Sequence, residues 1–159
     1  MGEGRFAPDV EAIELLLRRT AFIVRQHGRR ILGRFDLTPP QFDALQILVH
    51  HDQLTMGDLC QRLYLASSTV TDLVQRMERA GFVRRERDPV DRRLVRLTVL
   101  DKGRRVIEEV IDERRAYLET VLAHMPAEDR ALLQSSLEKL LQIMREVGQT
   151  DKEAPERGS

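Results

Sequence analysis

The segment from Leu54 to Leu100 constrains the fold of this chain most, because it combines two short helical patterns, a β-hairpin pattern and clustered positive charge. In the first helical pattern, apolar side chains recur at helical spacing at Met56, Leu59, Cys60 and Leu63. Thr55 and Asp58 stand at its start in the arrangement of a capping box. The same spacing returns a few residues later at Val70, Leu73, Val74 and Met77. The segment therefore predicts a helix–turn–helix.

The outward face of the second predicted helix is polar and partly cationic, with Ser68, Thr71, Asp72, Gln75, Arg76 and Arg79. Such a helix suits the major groove of DNA, which is about 12 Å wide. We expect Ser67 or Ser68 to cap its start and Ala80-Gly81 to end it. The turn lacks the glycine often found in such motifs, and two amphipathic helices also describe an ordinary helical hairpin. The helices alone therefore leave the function open.

A basic hairpin follows the two helices. Residues Phe82 to Arg87 and Leu94 to Val99 alternate as β-strands do, and a turn-forming tip joins them, Asp88-Pro89-Val90-Asp91-Arg92-Arg93. An arginine at such a tip can reach into the narrow, negative minor groove. Asp91 stands where it can brace Arg93 through a bidentate ion pair. A helix–turn–helix followed by a basic wing is a shape that enters DNA grooves.

Positive charge is concentrated in this part of the chain. From Arg76 to Arg105 there are eleven Lys and Arg residues against five Asp and Glu residues. The whole chain, by contrast, has 26 residues of each sign and no net charge. A basic region inside a neutral protein is the electrostatic pattern expected for local contact with phosphate groups.

A longer series of motifs runs through the same region: Leu37-Thr38-Pro39-Pro40-Gln41-Phe42, Leu63, Ser67-Ser68-Thr69-Val70-Thr71, Val74, Arg76-Met77-Glu78-Arg79-Ala80-Gly81-Phe82-Val83-Arg84-Arg85, Asp88-Pro89-Val90-Asp91-Arg92-Arg93, Leu97-Thr98 and Lys102-Gly103. The order of Asp-Arg-Arg, Leu-Thr and Gly after a helix pair is specific. On these motifs the run from Leu37 to about Gly103 resembles the MarR family of bacterial and archaeal winged-helix transcriptional regulators.

The resemblance implies a role for each matching residue. Members insert the helix that starts near Ser67 into the major groove, which gives the DNA-facing role to Ser67, Ser68, Thr69, Thr71, Gln75 and Arg76. It also implies that Arg93 reads the minor groove with Asp91 as its structural partner. Phosphate contacts or wing support are then expected from Arg84, Arg85 and Arg92. A merely solvated surface arginine is the alternative interpretation for each of these arginines.

The predicted fold is mainly α-helical with a small β-wing. A winged helix–turn–helix domain at residues 37–100 is flanked by an N-terminal dimerisation helix at residues 1–36, C-terminal dimerisation helices at residues 101–147 and a disordered tail at residues 148–159. The last helix carries an apolar heptad seam at Leu133, Leu137, Leu140, Met144 and Val147. Spacing alone also permits this seam to pack against its own chain. Because the family dimerises through its terminal helices, we expect a homodimer that reads an inverted repeat in double-stranded DNA.

The resemblance also implies a small-molecule effector. Members often hold a small aromatic or amphipathic anion in a cleft between the dimerisation helices and the winged domain, and its binding shifts the protein away from the DNA-competent state. A repressor released in this way is the expected regulator. Residues available to line such a cleft are Arg18, Phe22, His27, His51 and Tyr117, although each is also an ordinary surface or core residue.

Other chemistry has little support in the sequence. The four histidines lack the spacing of a helical metal site, so we expect no metal and no other cofactor. Some relatives sense organic peroxides through a cysteine in the first helix, whereas Cys60 lies on an apolar stripe, where a thiol is usually inert. We find no glycine-rich phosphate loop and no nucleophile–base set, and therefore expect no enzymatic activity.

No apolar run approaches the roughly 18–20 residues that a membrane helix requires, and the N-terminus is not typical of a secretory signal. We therefore expect a cytoplasmic protein without a membrane partner. Two classes of function stay open: a dimeric DNA-binding regulator, or a winged-helix module that binds another protein and no specific DNA. The charge of the wing favours the first, because a protein-binding wing would more often expose apolar anchors.

Overall fold

The computed structural model describes residues 5–51 and 53–153, the last five of these by their backbone alone. Over these residues the chain forms α1 (Pro8–Arg34), α2 (Pro39–His50), α3 (Met56–Leu63), α4 (Ser67–Arg79), β1 (Val83–Arg87), β2 (Val95–Val99), α5 (Asp101–Leu122) and α6 (Ala127–Glu153). The two strands pair antiparallel, with Val83 opposite Val99 and Arg87 opposite Val95. The expected fold, mainly α-helical with a small β-wing, is confirmed.

The chain divides into two compact units within α5, one ending at Arg114 and the other beginning at Arg115. The division does not fall at the start of α5, where the sequence suggested a boundary, because the first half of that helix buries Val106, Ile107 and Val110. These residues belong to one apolar core with side chains from α1 to α4 and both strands, including Ile31, Phe42, Leu45, Leu59, Val74, Met77, Val83 and Leu97. Burial of this apolar surface is the main source of stability for the winged part.

Capping boxes fix the starts of α2 and α3. The Thr38 hydroxyl accepts from the backbone N–H of Gln41, and the Gln41 side chain accepts from the backbone N–H of Thr38 at 2.9 Å. Thr55 and Asp58 repeat the arrangement at α3, as predicted from the sequence, with distances of 2.9 and 3.1 Å. Hydrogen bonds from the Thr55 side chain and backbone hold the pKa of Asp58 below its usual value. These caps set the direction in which each helix enters the core.

Helix α4 starts without such a cap. Its N-cap residue is Ala66, which has an extended backbone and no side-chain hydrogen bond to the helix. The prediction that Ser67 or Ser68 caps this helix was wrong, because both residues already lie inside its first turn. A capping side chain must stand on the extended residue before the first turn, and here that residue is an alanine.

Left-handed backbone conformations end both helices of the helix–turn–helix. Gly81, with φ of +75°, follows α4 and confirms the predicted glycine stop. Tyr64, with φ of +54°, ends α3 in the same conformation. Tyr64 therefore supplies the turn geometry for which a glycine is more usual, and this explains how the turn forms without one.

The second unit contains the end of α5 and the whole of α6. Helix α5 ends at Leu122, and α6 begins just after Pro126. Helix α6 continues through Gly148 to Glu153, so a disordered tail starting at residue 148 was wrong. Extending an existing helix adds one hydrogen bond per residue fixed, which offsets the weak propensity of one glycine. Residues 154–159 of the expected tail lie outside the described residues.

Two features of the described residues bear on other classes of protein. None of the helices there is both long enough and apolar enough to cross a membrane. The same residues include no group of three or more His, Cys, Asp or Glu side chains arranged to hold a metal ion. Cys60 is half-buried and packs against the core, as its place on the apolar stripe of α3 predicts.

Candidate nucleic-acid interface

The buried stripe of α4 determines which of its residues face outward. Val70, Leu73, Val74 and Met77 are buried, as the sequence predicted. The opposite face is therefore exposed, and it carries every polar residue predicted to face DNA on this helix: Ser67, Ser68, Thr69, Thr71, Gln75 and Arg76. Such a face presents hydroxyl, amide and guanidinium groups along one side of a helix, which are the groups that read base edges and phosphates.

The start of α4 adds a partial positive charge to this face. Because Ala66 offers no side-chain acceptor, the first-turn amides of α4 lack the caps that α2 and α3 have. Thr71 does not supply one, since its hydroxyl donates to the carbonyl of Ser67 at 2.8 Å. Uncapped amides at the N-terminus of a helix, together with the helix dipole, favour a phosphate group. The serines of the first turn stand beside these amides.

The wing is anchored by residues that sequence reasoning missed. Asp88, at the start of the tip, is buried, and only 4% of its surface is exposed. Its carboxylate accepts from the backbone N–H groups of Val90 and Asp91, both at 2.8 Å, and from Nε of Arg96. Nη1 of Arg96 donates to the backbone carbonyl of Gln53 at 2.8 Å. The hairpin tip is thereby tied to the loop that precedes α3.

This hydrogen bonding also fixes the charge of the tip. Donation from the backbone of Asp91, from Arg96 and from the backbone of Val90 lowers the pKa of Asp88 to about 2. The carboxylate is therefore ionised at any physiological pH. A signal for this residue was present in the sequence, because aspartate before proline commonly accepts hydrogen bonds from the turn that follows.

Asp91 and Arg93 lie together, but in a different way from the predicted ion pair. Oδ1 of Asp91 accepts from the backbone N–H of Arg93 at 3.0 Å. The ion pairs found among the described residues do not include one between these two side chains, so the predicted bidentate pair was wrong. The carboxylate of Asp91 holds the backbone at Arg93, and the Arg93 side chain is exposed.

The remaining wing arginines divide into paired and solvated ones. Arg85 pairs with Glu78 of α4 at 2.6 Å, and its backbone N–H donates to the same carboxylate at 3.2 Å. The hydrogen bond from the Arg85 side chain keeps the pKa of Glu78 below its usual value. Arg84 pairs with Glu86 at 2.8 Å, and Arg92 lies exposed at the tip. Arg85 thus connects the wing to α4.

The base of the wing packs tightly against α5. A Cβ atom on Gly103 would stand 2.4 Å from the carbonyl oxygen of Phe82, which no side chain allows. Lys102 donates to the carbonyl of Ala80 at 2.7 Å and lies over the Phe82 ring at 5.2 Å. Close approach at this point explains the Lys-Gly pair of the motif, because glycine lets the helix start directly on the strand.

The residues named for an effector cleft are only partly brought together. Arg18 and Phe22 line the same shallow pocket on α1. His51 instead lies 3.1 Å from Arg62, where α2 and α3 meet. His27 and Tyr117 do not line the pocket that holds Arg18 and Phe22.

Sequence reasoning missed Arg114, a half-buried cation of the first unit. Its guanidinium lies over the ring of Phe42 at 4.3 Å and beside Gly28 of α1. Its Nε is buried without a hydrogen-bond partner among the described residues. Burial lowers the pKa of Arg114, and burial raises the pKa of the neighbouring Asp43. An arginine late in an amphipathic helix gave no signal, because its neighbours come from two other helices.

Comparison with known proteins adds three findings. A family model described as the MarR family matches residues 35–94. The chain is 43% identical over 136 residues to the HTH-type transcriptional regulator YsmB of Bacillus subtilis (strain 168), which covers 86% of this chain and 93% of that protein. It is 46% identical to a MarR family protein from Bacillus stearothermophilus of known structure, with a TM-score of 0.79 over 86% of this chain and 96% of that one.

A more distant structure shares the fold. A point mutant of MepR from S. aureus, solved bound to an oligodeoxyribonucleotide, is 23% identical, with a TM-score of 0.66 over 83% of this chain and 97% of that one. The stretch matched by the family model runs from the end of α1 to the wing tip. It therefore contains α4, Asp88 and Arg93, the parts from which the interface is built.

Proposed function

Because this chain belongs to the MarR family of transcriptional regulators, which are not enzymes, we propose that it binds a specific DNA operator through α4 and the wing. In this proposal α4 enters the major groove, where Ser67, Ser68, Thr69, Thr71, Gln75 and Arg76 contact bases and phosphates. Arg93 enters the minor groove, and Arg84, Arg85 and Arg92 contact phosphates or support the wing. Asp91 holds the backbone of Arg93 in place.

The observation that carries the proposal is the environment of Arg93. Its side chain is exposed at the tip of a hairpin that a buried carboxylate, Asp88, holds to the rest of the winged part. Because the backbone that carries Arg93 is already ordered, binding need order only the side chain, which favours its insertion into a narrow groove. The neighbour MepR, which shares this fold, has been solved with an oligodeoxyribonucleotide.

We further propose that the protein acts as a homodimer. The seam residues Leu133, Leu137, Met144 and Val147 of α6 are exposed, and so are Val10, Ile13, Leu16 and Leu17 of α1. Apolar faces of this length are rarely left in water by a stable protein. A two-fold partner that covers them would place two copies of α4 about one DNA turn apart, and the operator would then be an inverted repeat.

Arg114 supports the proposal of an effector and indicates its chemical class. A half-buried guanidinium whose Nε has no hydrogen-bond partner among the described residues, stacked on Phe42, suits a small aromatic anion. Effector binding would favour the DNA-incompetent state and release the operator, so that the regulator acts as a repressor. With benzoate as the probe, we expect the wild-type chain to gain thermal stability and the Arg114→Gln variant to gain none.

The test of DNA binding begins with selection of duplexes from a random library. We expect an inverted repeat, bound with an affinity that falls steeply as salt rises. Arg93→Ala should weaken binding by about tenfold and reduce the slope of log affinity against log salt by about one. Arg145→Ala removes the same charge from the exposed surface of α6 outside the seam and should change neither quantity.

Light scattering on both variants would establish that the dimer is intact. A wild-type affinity and salt slope in Arg93→Ala would refute the role of the wing. Recovery of no preferred sequence by the wild-type chain would instead favour the alternative, a winged-helix module that binds another protein.

A further inference from the structure

The tip of the wing ends in an apolar side chain. Val90 is 94% exposed, more than any other large hydrophobic residue that the structure describes. It stands between Pro89 and Asp91, and the exposed arginines Arg92 and Arg93 follow Asp91. The tip therefore combines an exposed branched aliphatic group with two exposed cations two and three positions later, and the interface proposed above gives the aliphatic group no role.

Val90 is held in this position by the chain itself. Its backbone N–H donates to Oδ1 of buried Asp88 at 2.8 Å. The backbone N–H of Asp88 donates to the carbonyl of Leu94, and the backbone N–H of Leu94 donates to the carbonyl of Asp91, both at 3.0 Å. These two hydrogen bonds close the loop that carries Val90. A valine side chain has few rotamers. Backbone and side chain are thus preorganised, and burying this group in a partner would cost little conformational entropy.

The surroundings of Val90 indicate which partner would bury it. The adjacent guanidinium groups favour a negative surface, and a lone aliphatic group needs a narrow apolar slot. The minor groove of DNA offers both, because phosphates line its rims and sugar C–H groups form its walls. Minor-groove proteins insert aliphatic side chains at such points.

We propose that Val90 is a specificity-determining residue that contacts the floor of the minor groove and selects A·T pairs beneath the wing. This inference rests on the proposed entry of the wing into that groove. Guanine carries an N2 amino group on the minor-groove floor, whereas A·T pairs present only acceptors there. Valine cannot accept a hydrogen bond, so a guanine amino group covered by Val90 would lose its water without a replacement. Leaving a buried donor unsatisfied should weaken binding by about tenfold.

The test uses base analogues that change only the minor-groove edge. In the selected operator, 2,6-diaminopurine replaces adenine at one pair after another, which adds the amino group and leaves the major-groove edge unchanged. We expect wild-type binding to fall by about tenfold at one or two pairs of each half-site. At those pairs a G·C substitution should be equally harmful, and inosine in place of guanine should restore binding.

Val90→Thr is the matched variant, because threonine has nearly the same shape and a hydroxyl that accepts from the amino group. Its loss at the sensitive pairs should be at most about threefold, since the donor regains a partner. Diaminopurine also changes the shape of the groove, but this effect is the same for both proteins. Arg93→Ala should weaken binding to all duplexes and retain the preference for adenine over diaminopurine.

Equal losses in wild type and Val90→Thr would overturn the inference. So would a preference for adenine that disappears with Arg93→Ala and persists in Val90→Thr. A wild-type protein that binds its operator but is insensitive to diaminopurine at every pair would overturn it as well, and would leave Val90 as a contact for a protein. Each of these results is compatible with the proposed DNA-binding function. If selection yielded no operator, the proposed function itself would be contradicted.

Discussion

Helices α4 and α6 carry the same kind of apolar pattern in opposite surroundings. In α4 the stripe is buried, and Met77 is fully covered. In α6 the seam is exposed, and Met144 shows 62% of its surface to solvent. Residue spacing therefore identifies an apolar face of a helix but does not identify the molecule that buries it.

The elements that pack on the apolar stripe of α4 are close to it in sequence, which explains why the burial of this stripe could be predicted. Helix α3 precedes it by a short turn and β1 follows it directly, so both neighbours lie within the same helix–turn–helix and wing. The seam of α6 has no such local partner, since a heptad pattern fits any second helix with the same spacing. The cover that we propose for it is a second copy of the chain.

Truncation of Met77 and of Met144 to alanine should have different effects on stability, because the first residue is buried and the second is exposed. Met77→Ala should lower the free energy of unfolding by about 3 kcal/mol, because it leaves a cavity in a packed core. The loss should be the same at low and high protein concentration. Met144→Ala should cost much less and act on dimerisation instead. Urea denaturation at two protein concentrations measures both, and equal losses would show that the two helices are covered in the same way.

A charged side chain introduced into the seam of α6 would test whether a second copy of the chain buries this seam. Leu137→Glu should raise the dimer dissociation constant at least about a hundredfold, because a two-fold interface would bury the new carboxylate twice. Leu137 is 51% exposed in the single chain, so the helix content by circular dichroism should not change. Lys139→Glu adds negative charge on the same helix outside the seam and should leave the dimer intact. An unchanged mass for Leu137→Glu in sedimentation equilibrium would remove the seam from the interface.

The carboxylate of Asp88 in the wing also stabilises the fold, and its hydrogen-bond partners all lie within the first unit. The pKa of Asp88 is lowered from 3.8 to about 2, so the ionised form stabilises the folded state. This contribution is complete above pH 4 and is lost as the pH falls through about 2. Asp88→Asn should therefore be less stable than wild type from pH 7 to 5, and the difference should vanish near pH 2. If the stability difference between Asp88→Asn and wild type changed near neutral pH, a titratable group other than Asp88 would be responsible.

The sequence predicted local features well and distant partners poorly. The stripe of α4, both wing strands and the stop at Gly81 follow from residues within one turn or one hairpin. The anchor of the wing does not, because Arg96 bonds to the carbonyl of Gln53, which lies 43 positions earlier. Because every residue has a backbone carbonyl, a sequence pattern cannot indicate which carbonyl accepts such a hydrogen bond.

The site residues show the same division. Their exposure on α4 followed from periodicity, whereas the pairing of Asp91 with a backbone amide did not, because side-chain spacing cannot distinguish a guanidinium from the N–H of the same residue. The N-cap at Ala66 was missed because serine is the stronger capping residue, whereas the turn places Ser67 and Ser68 already inside the first turn of the helix.

The weakest destabilisation is expected at Tyr64 and Gly81, the left-handed residues at the ends of α3 and α4. Gly81→Ala should cost about 1 kcal/mol, because L-residues are strained at positive φ. A Cβ there would meet only the Lys102 side chain at 3.8 Å, so the loss is conformational and not steric. Tyr64→Gly removes the same strain but adds freedom to the unfolded chain, and these opposing changes should leave stability within about 0.5 kcal/mol of wild type. Urea denaturation of both variants compares them. Since each effect is set by the backbone of the first unit, neither should depend on protein concentration, and a concentration dependence in either would mean that the turn and the dimer interface are coupled.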